Sequence, residues 1–333
     1  MKNHSYQRQQ GAALLMMMLA LIALSSALAY QYLGEMNQKL KRQNIESASQ
    51  VLLAAKENLL IFAASQPDLY SNNSTIPGVG YMLPPDFDNN GEMGIVGSNG
   101  ISIDTWYNTR PDNIIGRMPA MSKKSNGMFF YERTCSNGQC DDGVDPLWLV
   151  VSGRSGIGNL RMQERDTPLN SNTLLTQLKL IKQTQNETII IDGEAKVVEK
   201  TTFTKEADAC STTGIVCVDD FPVVAVIIAA GKPLQSQNRT NKLDYKQYLD
   251  ADNADDNRYN FVSRLPSNYS CSSKQSDACF NDRLVAIKAE DWILTMEQRV
   301  KSDANWKSLC EGTLTSSHWL VVNQWKSVLG ICP

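Results

Sequence analysis

The chain has 333 residues and a formal charge of -3 at pH 7, from 32 Lys and Arg against 35 Asp and Glu. That balance excludes a protein built mainly to hold nucleic acid, because phosphate binding needs concentrated Lys and Arg and leaves a basic footprint. The length admits one large core or two ordinary ones, since single cores seldom outgrow about 250 to 300 residues. The Asn, Gln, Ser and Thr scattered between short apolar runs suit a loop-rich extracytoplasmic domain better than a compact cytosolic enzyme.

The first element lies in QRQQGAALLMMMLALIALSSALAYQYLGEMNQ, where 9–34 holds no charged residue. That exceeds the roughly 20 residues a helix needs to cross a bilayer. The stretch has three readings: an uncleaved anchor, a secretory leader cut after Ala29, or a segment trimmed near Gly11 and then kept. Lys2, Arg8, the apolar middle and the Ala27-Leu28-Ala29 ending fit the leader. The residues after Ala29 argue against a cut there, because helix-compatible sequence continues without Pro or Gly through 35–65. Within it Ile45, Ala48, Leu52, Ala55, Leu59 and Phe62 recur at steps of three and four. Such spacing paints one apolar stripe on a helix, leaving Lys39, Lys41, Arg42, Glu46, Lys56 and Glu57 on other faces. One rod of about 50 residues, near 80 Å at ~1.5 Å per residue, would start in the membrane and end against a folded domain. Gly34 is its weak point, at ~1 kcal/mol relative to Ala. Counting basic residues does not orient the span, with Lys2 and Arg8 facing Lys39, Lys41 and Arg42.

A short basic leader, then Gly11, then an apolar helix grading into an amphipathic one, resembles the type IV pilin superfamily, which includes the pseudopilins of type II secretion. The resemblance implies that a prepilin peptidase cuts between Gly11 and Ala12 and methylates the new terminus at Ala12. Major pilins usually carry a glutamate at the fifth residue after the cut, and here that position is Met16. In the family that carboxylate is thought to meet the terminal amine of a neighbouring subunit within the membrane, where an unpaired charge is costly. Pseudopilins and minor pilins assigned to the filament tip often lack it, and QRQQGAALLMMMLALIAL resembles those more closely. The similarity is specific only over about the first 65 residues; farther along, AAKENLLIFAAS, VVAVIIAAGKPLQSQNR and NDRLVAIKAEDW look like segments of large bacterial pilin-like proteins and carry no activity with them.

Beyond Ser65, Pro, Gly and Asn cluster in QPDLYSNNSTIPGVGYMLPPDFDNNGEMGIVGSNG, where helix is disfavoured. Farther on, PLWLVVSG from Pro146, ETIIID from Glu187 and FPVVAVIIAAG from Phe221 are short β-branched runs bounded by turn formers. Asp192-Gly193 between TIII and EAKVVEK signals a hairpin, since a two-residue turn needs the positive φ that Gly supplies. The run 223–229 is apolar on both alternating faces and belongs at the centre of a sheet. Helical spacing appears in NTLLTQLKLIKQT from Asn172 and in AEDWILTMEQRVKSDANW from Ala289, where Glu290 and Asp291 favour a helix start. Together these predict an α+β fold: a long N-terminal helix, transmembrane then amphipathic, packed on a mostly antiparallel β domain with disulfide-closed loops. The expected parts are a leader over 1–11, a membrane half-helix over 12–34, an amphipathic half over 35–65 and an extracytoplasmic domain over 66–333.

All eight cysteines come after the apolar segment: Cys135, Cys140, Cys210, Cys217, Cys271, Cys279, Cys310 and Cys332. They fall into neighbouring couples, and CSNGQC, CSTTGIVC and CSSKQSDAC enclose turn formers that let each close a tight loop. We expect sequential pairing out of about 105 arrangements, with Cys310 to Cys332 tying the tail. Zinc fits poorly, because there is no Cys-x-x-Cys knuckle and only His4 and His318 could assist. Disulfides imply an oxidising compartment outside the cytosol; together with it, the pilin resemblance implies a periplasmic domain on a single-pass bacterial inner-membrane protein.

Signs of chemistry are sparse. DFDNNGE sets Asp86, Asp88 and Asn90 at alternating positions before Gly91, like the opening of a calcium loop, with Glu92 as a further oxygen. A full EF-hand needs a bidentate Glu at position twelve, where this chain has Gly97, so a solvated turn is the favoured reading and calcium the rival. LDADNADDN, with Asp250, Asp252, Asp255 and Asp256, lacks the Gly and fits calcium less well. In SGRSGIG the nucleophile elbow fails at Ile157, and the glycines at 153, 156 and 158 do not continue into a dinucleotide fingerprint. His318 in SSHWLVV is expected to flank a strand, and Trp148, Trp292, Trp306 and Trp319 to pack in the core. The expectation is a non-enzymatic minor pilin or pseudopilin-like subunit of a type IV pilus or type II secretion filament. Its partners would be like helices, membrane lipid and the prepilin peptidase; the rival is a soluble periplasmic binding protein freed after Ala29.

Overall fold

The computed structural model describes residues 47–68, 78–83, 85–86, 114–119, 135–136, 139–140, 146–152, 169–191, 194–234, 237–254, 260–263 and 280–330. Two units, Met1–Ser49 and Gln50–Pro333, divide the chain, and the apolar run 9–34 with Gly11 and Ala12 lies outside the described residues. Among the described residues no helix is long and apolar enough to cross a membrane. In chain order the strands are β1 (Ile114–Arg117), β2 (Cys135–Ser136), β3 (Gln139–Cys140), β4 (Trp148–Val151), β5 (Leu180–Ile191), β6 (Glu194–Lys205), β7 (Val216–Val218), β8 (Phe221–Val223), β9 (Ala225–Ala229), β10 (Asn260–Phe261) and β11 (Arg283–Ile287). The helices are α1 (47–68), α2 (Ser171–Gln177), α3 (Ala289–Lys301), α4 (Trp306–Glu311), α5 (Trp319–Val322) and α6 (Trp325–Leu329).

The three-and-four spacing buries Leu52, Ala55, Leu59 and Phe62 of α1 and leaves Leu53 and Ile61 exposed on its other side. Lys56 reaches Asp291 of α3 at 2.7 Å, and Arg299 of α3 reaches Asp68 at 3.1 Å. The helix runs to Asp68, past the expected stop at Ser65, because Pro67 is tolerated in its last turn. Pro67 has no N–H to give the carbonyl four residues back. That carbonyl, on Ala63, accepts from Gly80 N–H instead, at 2.8 Å, so the proline's missing donor fastens segment 78–83 to the helix end.

The main sheet has the order β1-β4-β9-β11, with every neighbour antiparallel. Strand β9 lies between β4 and β11, and all five of its residues are buried. Leu149, Val151, Ala225, Ile227 and Ala229 join the core that contains α1, whereas Trp148, Val150, Val226 and Ile228 join a second core on the opposite face. A sheet covered on both sides has no reason to alternate apolar with polar residues, which is why 223–229 reads as a continuous run. Each fully buried Val, Leu or Ile among them contributes about 1.5–3 kcal/mol.

Two expectations fail locally. The helix expected through NTLLTQLKLIKQT stops at Gln177, where Lys179 turns to φ 53 and the chain enters β5 at Leu180. Tertiary context overrides the apolar spacing there: Leu174, Leu178 and Leu180 are buried, while the residues from Leu180 to Ile191 pair with β6 over twelve registers. His318 does not flank a strand; it is the N-cap of α5.

Cys210 and Cys217 are bonded, at a Cα separation of 5.8 Å. Cys135 and Cys140 stand directly opposite each other on β2 and β3, and Cys310 is also disulfide-bonded. Cys271, Cys279 and Cys332 lie outside the described residues. The protein is therefore mixed α and β, with antiparallel sheets and a disulfide-closed loop at Cys210–Cys217.

Candidate functional site

On the sheet face away from α1, register brings Arg117 of β1 opposite Trp148 of β4. The Arg117 guanidinium sits 4.0 Å from the Trp148 ring centre and 4.3 Å from that of Tyr248, and Arg239 lies 5.1 Å from Tyr248. A buried cation needs hydrogen-bond acceptors as well as ring faces. Arg117 Nε donates to Lys242 O at 2.9 Å and Nη1 to Pro146 O at 3.1 Å. Arg239 Nη2 donates to Gly231 O at 2.6 Å and Tyr248 O at 3.2 Å. This alternation of cations and rings fastens segment 231–254 over the sheet.

Beneath it two buried carboxylates face each other's backbone. Asp250 N–H donates to Asp282 Oδ2 at 2.7 Å, and the N–H groups of Asn281 and Asp282 donate to Asp250 Oδ2 at 2.6 and 3.2 Å. Gln237 Nε2 donates to Asp250 Oδ1 at 2.7 Å, and Asn253 Nδ2 to Asp282 Oδ2 at 3.1 Å. Asp282 Oδ1 is buried without a hydrogen-bond partner among the described residues. Burial first, and then the charge of Asp250, push the Asp282 carboxyl up to about 7. Burial also raises Asp250, against the hydrogen bonds it accepts. Burial thus favours the protonated form of Asp282, and the reciprocal hydrogen bonds tie the 250 turn to the start of β11.

Of the acidic residues expected here, Asp250 is a member of this pair; Asp255 and Asp256 lie outside the described residues. Asp282, Gln237, Arg239 and Asn253 carried no signal in the sequence, because the two carboxylates are thirty-two positions apart in the chain and meet only through the sheet. For the calcium reading, Asp86 is buried and exchanges backbone hydrogen bonds with Arg117 at 2.8 and 2.9 Å, while Asp88, Asn90 and Glu92 lie outside the described residues. Among the described residues no group of three His, Cys, Asp or Glu could hold a metal ion. His318 accepts from Leu320 N–H through Nδ1 at 3.2 Å, and burial lowers its pKa, so it is occupied as a neutral helix cap. Trp148, Trp292, Trp306 and Trp319 are all buried, and Trp292 Nε1 donates to Gly80 O at 2.9 Å.

One region offers surface rather than interior. The β5–β6 ribbon forms a two-stranded sheet of its own, and beyond Leu180 none of its described side chains is fully buried. No family model, no curated protein and no solved structure matches the chain.

Proposed function

We propose that the chain is a membrane-anchored minor pilin or pseudopilin-like subunit whose apolar helix bundles with like helices in a bacterial filament, its role being assembly rather than catalysis. The observation that carries this reading is the sequence order of Gly11, the charge-free run 9–34 and the amphipathic stretch that follows it to 65 without Pro or Gly. Helix 47–68 packs into the core on either reading; what favours the filament subunit is that helix-compatible sequence without Pro or Gly leads from the charge-free run into it, as a rod that ends on a folded domain requires. The Cys210–Cys217 bridge supports an oxidising, extracytoplasmic compartment. Met16 supports a minor rather than a major subunit. On this reading Gly11 directs the peptidase, Ala12 becomes the methylated terminus and 14–24 supplies helix-packing surface in the membrane.

The Ala27-Leu28-Ala29 ending favours the second reading, a soluble periplasmic binding protein. The mass of the mature protein separates them: a methylated start at Ala12 supports the filament subunit, a start at Tyr30 the soluble protein, and a start at Met1 a simple anchor. Gly11→Trp is expected to block processing, and a normal mature mass in that variant would count against the proposal.

A further inference from the structure

The β5–β6 ribbon pairs twelve residues of each strand, from Leu180 opposite Lys205 to Ile191 opposite Glu194. Near its tip Ile190 is 77% exposed and Val197 67% exposed. Among the described residues neither outer edge has a partner strand. A long unpaired edge with apolar side chains is a template for another strand.

One hydrogen bond determines which backbone groups face outward. Glu206 N–H donates to Lys179 O at 2.9 Å. Because antiparallel pairs alternate between bonded and non-bonded, Ile181 with Thr204 and Ile189 with Lys196 are bonded pairs. The intervening residues, among them Ala195, Val197, Glu199 and Thr201 on β6, turn their N–H and C=O groups to the outside. Two copies meeting edge to edge about a two-fold axis must set outward residues opposite outward residues.

We infer that the β6 edge is a self-association surface whose occupant is the β6 edge of a second copy, antiparallel and centred on Val197. In that register Val197 lies opposite itself and Ala195 opposite Glu199. Glu194 then meets the second copy's Lys200 on both sides of the axis, in non-bonded pairs where side chains approach most closely. Lys200 already reaches Glu187 of its own ribbon at 2.9 Å, an exposed pair, so Glu194 joins it as a second carboxylate on the same ammonium. Moving the axis to Lys196 sets that lysine against itself, and moving it to Val198 sets Lys196 against Lys200, so charge disfavours both neighbouring registers. An axis at Ala195 also sets Glu194 against Lys196 but pairs only residues 194–196 of the strand, so ladder length together with charge selects the central register. The β5 edge has no equivalent. Its charged residues are Lys182, which faces outward, and Glu187, which does not, so no two-fold register brings them opposite each other.

The union makes a four-stranded ribbon with Val197, Ala195 and Ile190 of both copies on one face, covering methyl groups that water now touches. It is isologous and closes at two copies. A contact made by one strand edge is small beside the roughly 1,200–2,000 Å² of stable complexes, so a reversible dimer that dissociates on dilution is expected. The inference does not rest on membrane anchoring or on the filament reading.

The test uses the full chain with Val197→Cys, oxidised mildly and run on a non-reducing gel. A rapid covalent dimer is expected, because a bonded antiparallel pair holds its Cα atoms about 5.5 Å apart, within disulfide range. Thr201→Cys on the same edge and Thr188→Cys on the other should cross-link far more slowly. In a Glu187→Gln background, which removes the intrachain partner of Lys200, Glu194→Lys and Lys200→Glu, each alone, turn two attractive pairs into two repulsive ones and should weaken self-association roughly tenfold by sedimentation; the double exchange should restore it. Equal cross-linking of Val197→Cys and Thr201→Cys, or no recovery in the double variant with its circular dichroism unchanged, overturns the inference.

Discussion

Strand β9 and the β5–β6 ribbon are both antiparallel β-structure in one chain, yet they live in opposite surroundings. Every residue of AVIIA is buried between two cores. Along LIKQTQNETIII and EAKVVEKTTFTK only the base is buried. An isolated two-stranded hairpin is marginal in water, so the ribbon is held by its cross-strand pairs and by anchors at its root. Those anchors include Lys179 with Asp208, Lys205 with Asp220, and the Glu206 N–H to Lys179 O bond. The contrast teaches that β-branched composition here reports pairing, while burial is set by what covers the two faces.

The largest expected effect sharpens the buried side of that contrast. Gly80 has φ +100, and a Cβ there would fall 2.1 Å from Trp292 Cζ2. Gly80 also accepts the Trp292 indole bond and donates to Ala63 O, so its neighbours are fixed from three directions. Gly80→Ala should cost about 3 kcal/mol or more through combined overpacking and backbone strain. Urea denaturation measures it; a loss below about 1 kcal/mol would mean the α1 contact is far softer than a close-packed core allows.

Next comes the carboxylate pair, which buries charge where β9 buries only carbon. With the Asp282 carboxyl raised from 3.8 to about 7, the folded chain holds a proton over that window which the unfolded chain has released. This group's contribution to stability is therefore most favourable below pH 4, falls as pH rises to 7 and stays low above it. Asp282→Asn keeps an acceptor for Asp250 N–H and Asn253 and removes the ionisation. The variant should gain on the parent by up to about 4 kcal/mol between pH 4 and pH 8. A gap between their urea midpoints that does not change with pH would show that the ionised form carries no penalty.

Legibility in the sequence tracks the range of the interactions. The α1 stripe, the apolar β9 run and the hairpin around 192–193 depend on local period and turn chemistry, and the described strands and helix sit where that period puts them. The 172–184 segment reads as one helix because Leu174, Leu175, Leu178 and Leu180 keep a helical spacing across a boundary that only Lys179's positive φ marks. His318 reads as a strand flank because TrpLeuValVal is as compatible with a strand as with the short helix it caps. The Asp250–Asp282 pair and the Arg117–Trp148–Tyr248 stack are illegible, since each joins residues whose proximity is created by sheet order.

The smallest effect tests the contrast most directly, because it makes the same substitution on both sides of it. Val226 of β9 is fully buried, and Val197 of β6 is two-thirds exposed. Threonine has nearly the shape and strand preference of valine, so the change isolates burial of a hydroxyl. Val226→Thr should cost about 1–3 kcal/mol, because the second core must take up an oxygen without a ready partner. Val197→Thr should stay within about 0.5 kcal/mol in thermal unfolding at low protein concentration, where self-association does not contribute. Equal losses at the two positions would mean the ribbon face around Val197 is covered in the isolated folded chain, and the methyl groups that self-association is argued to cover would not be open to water.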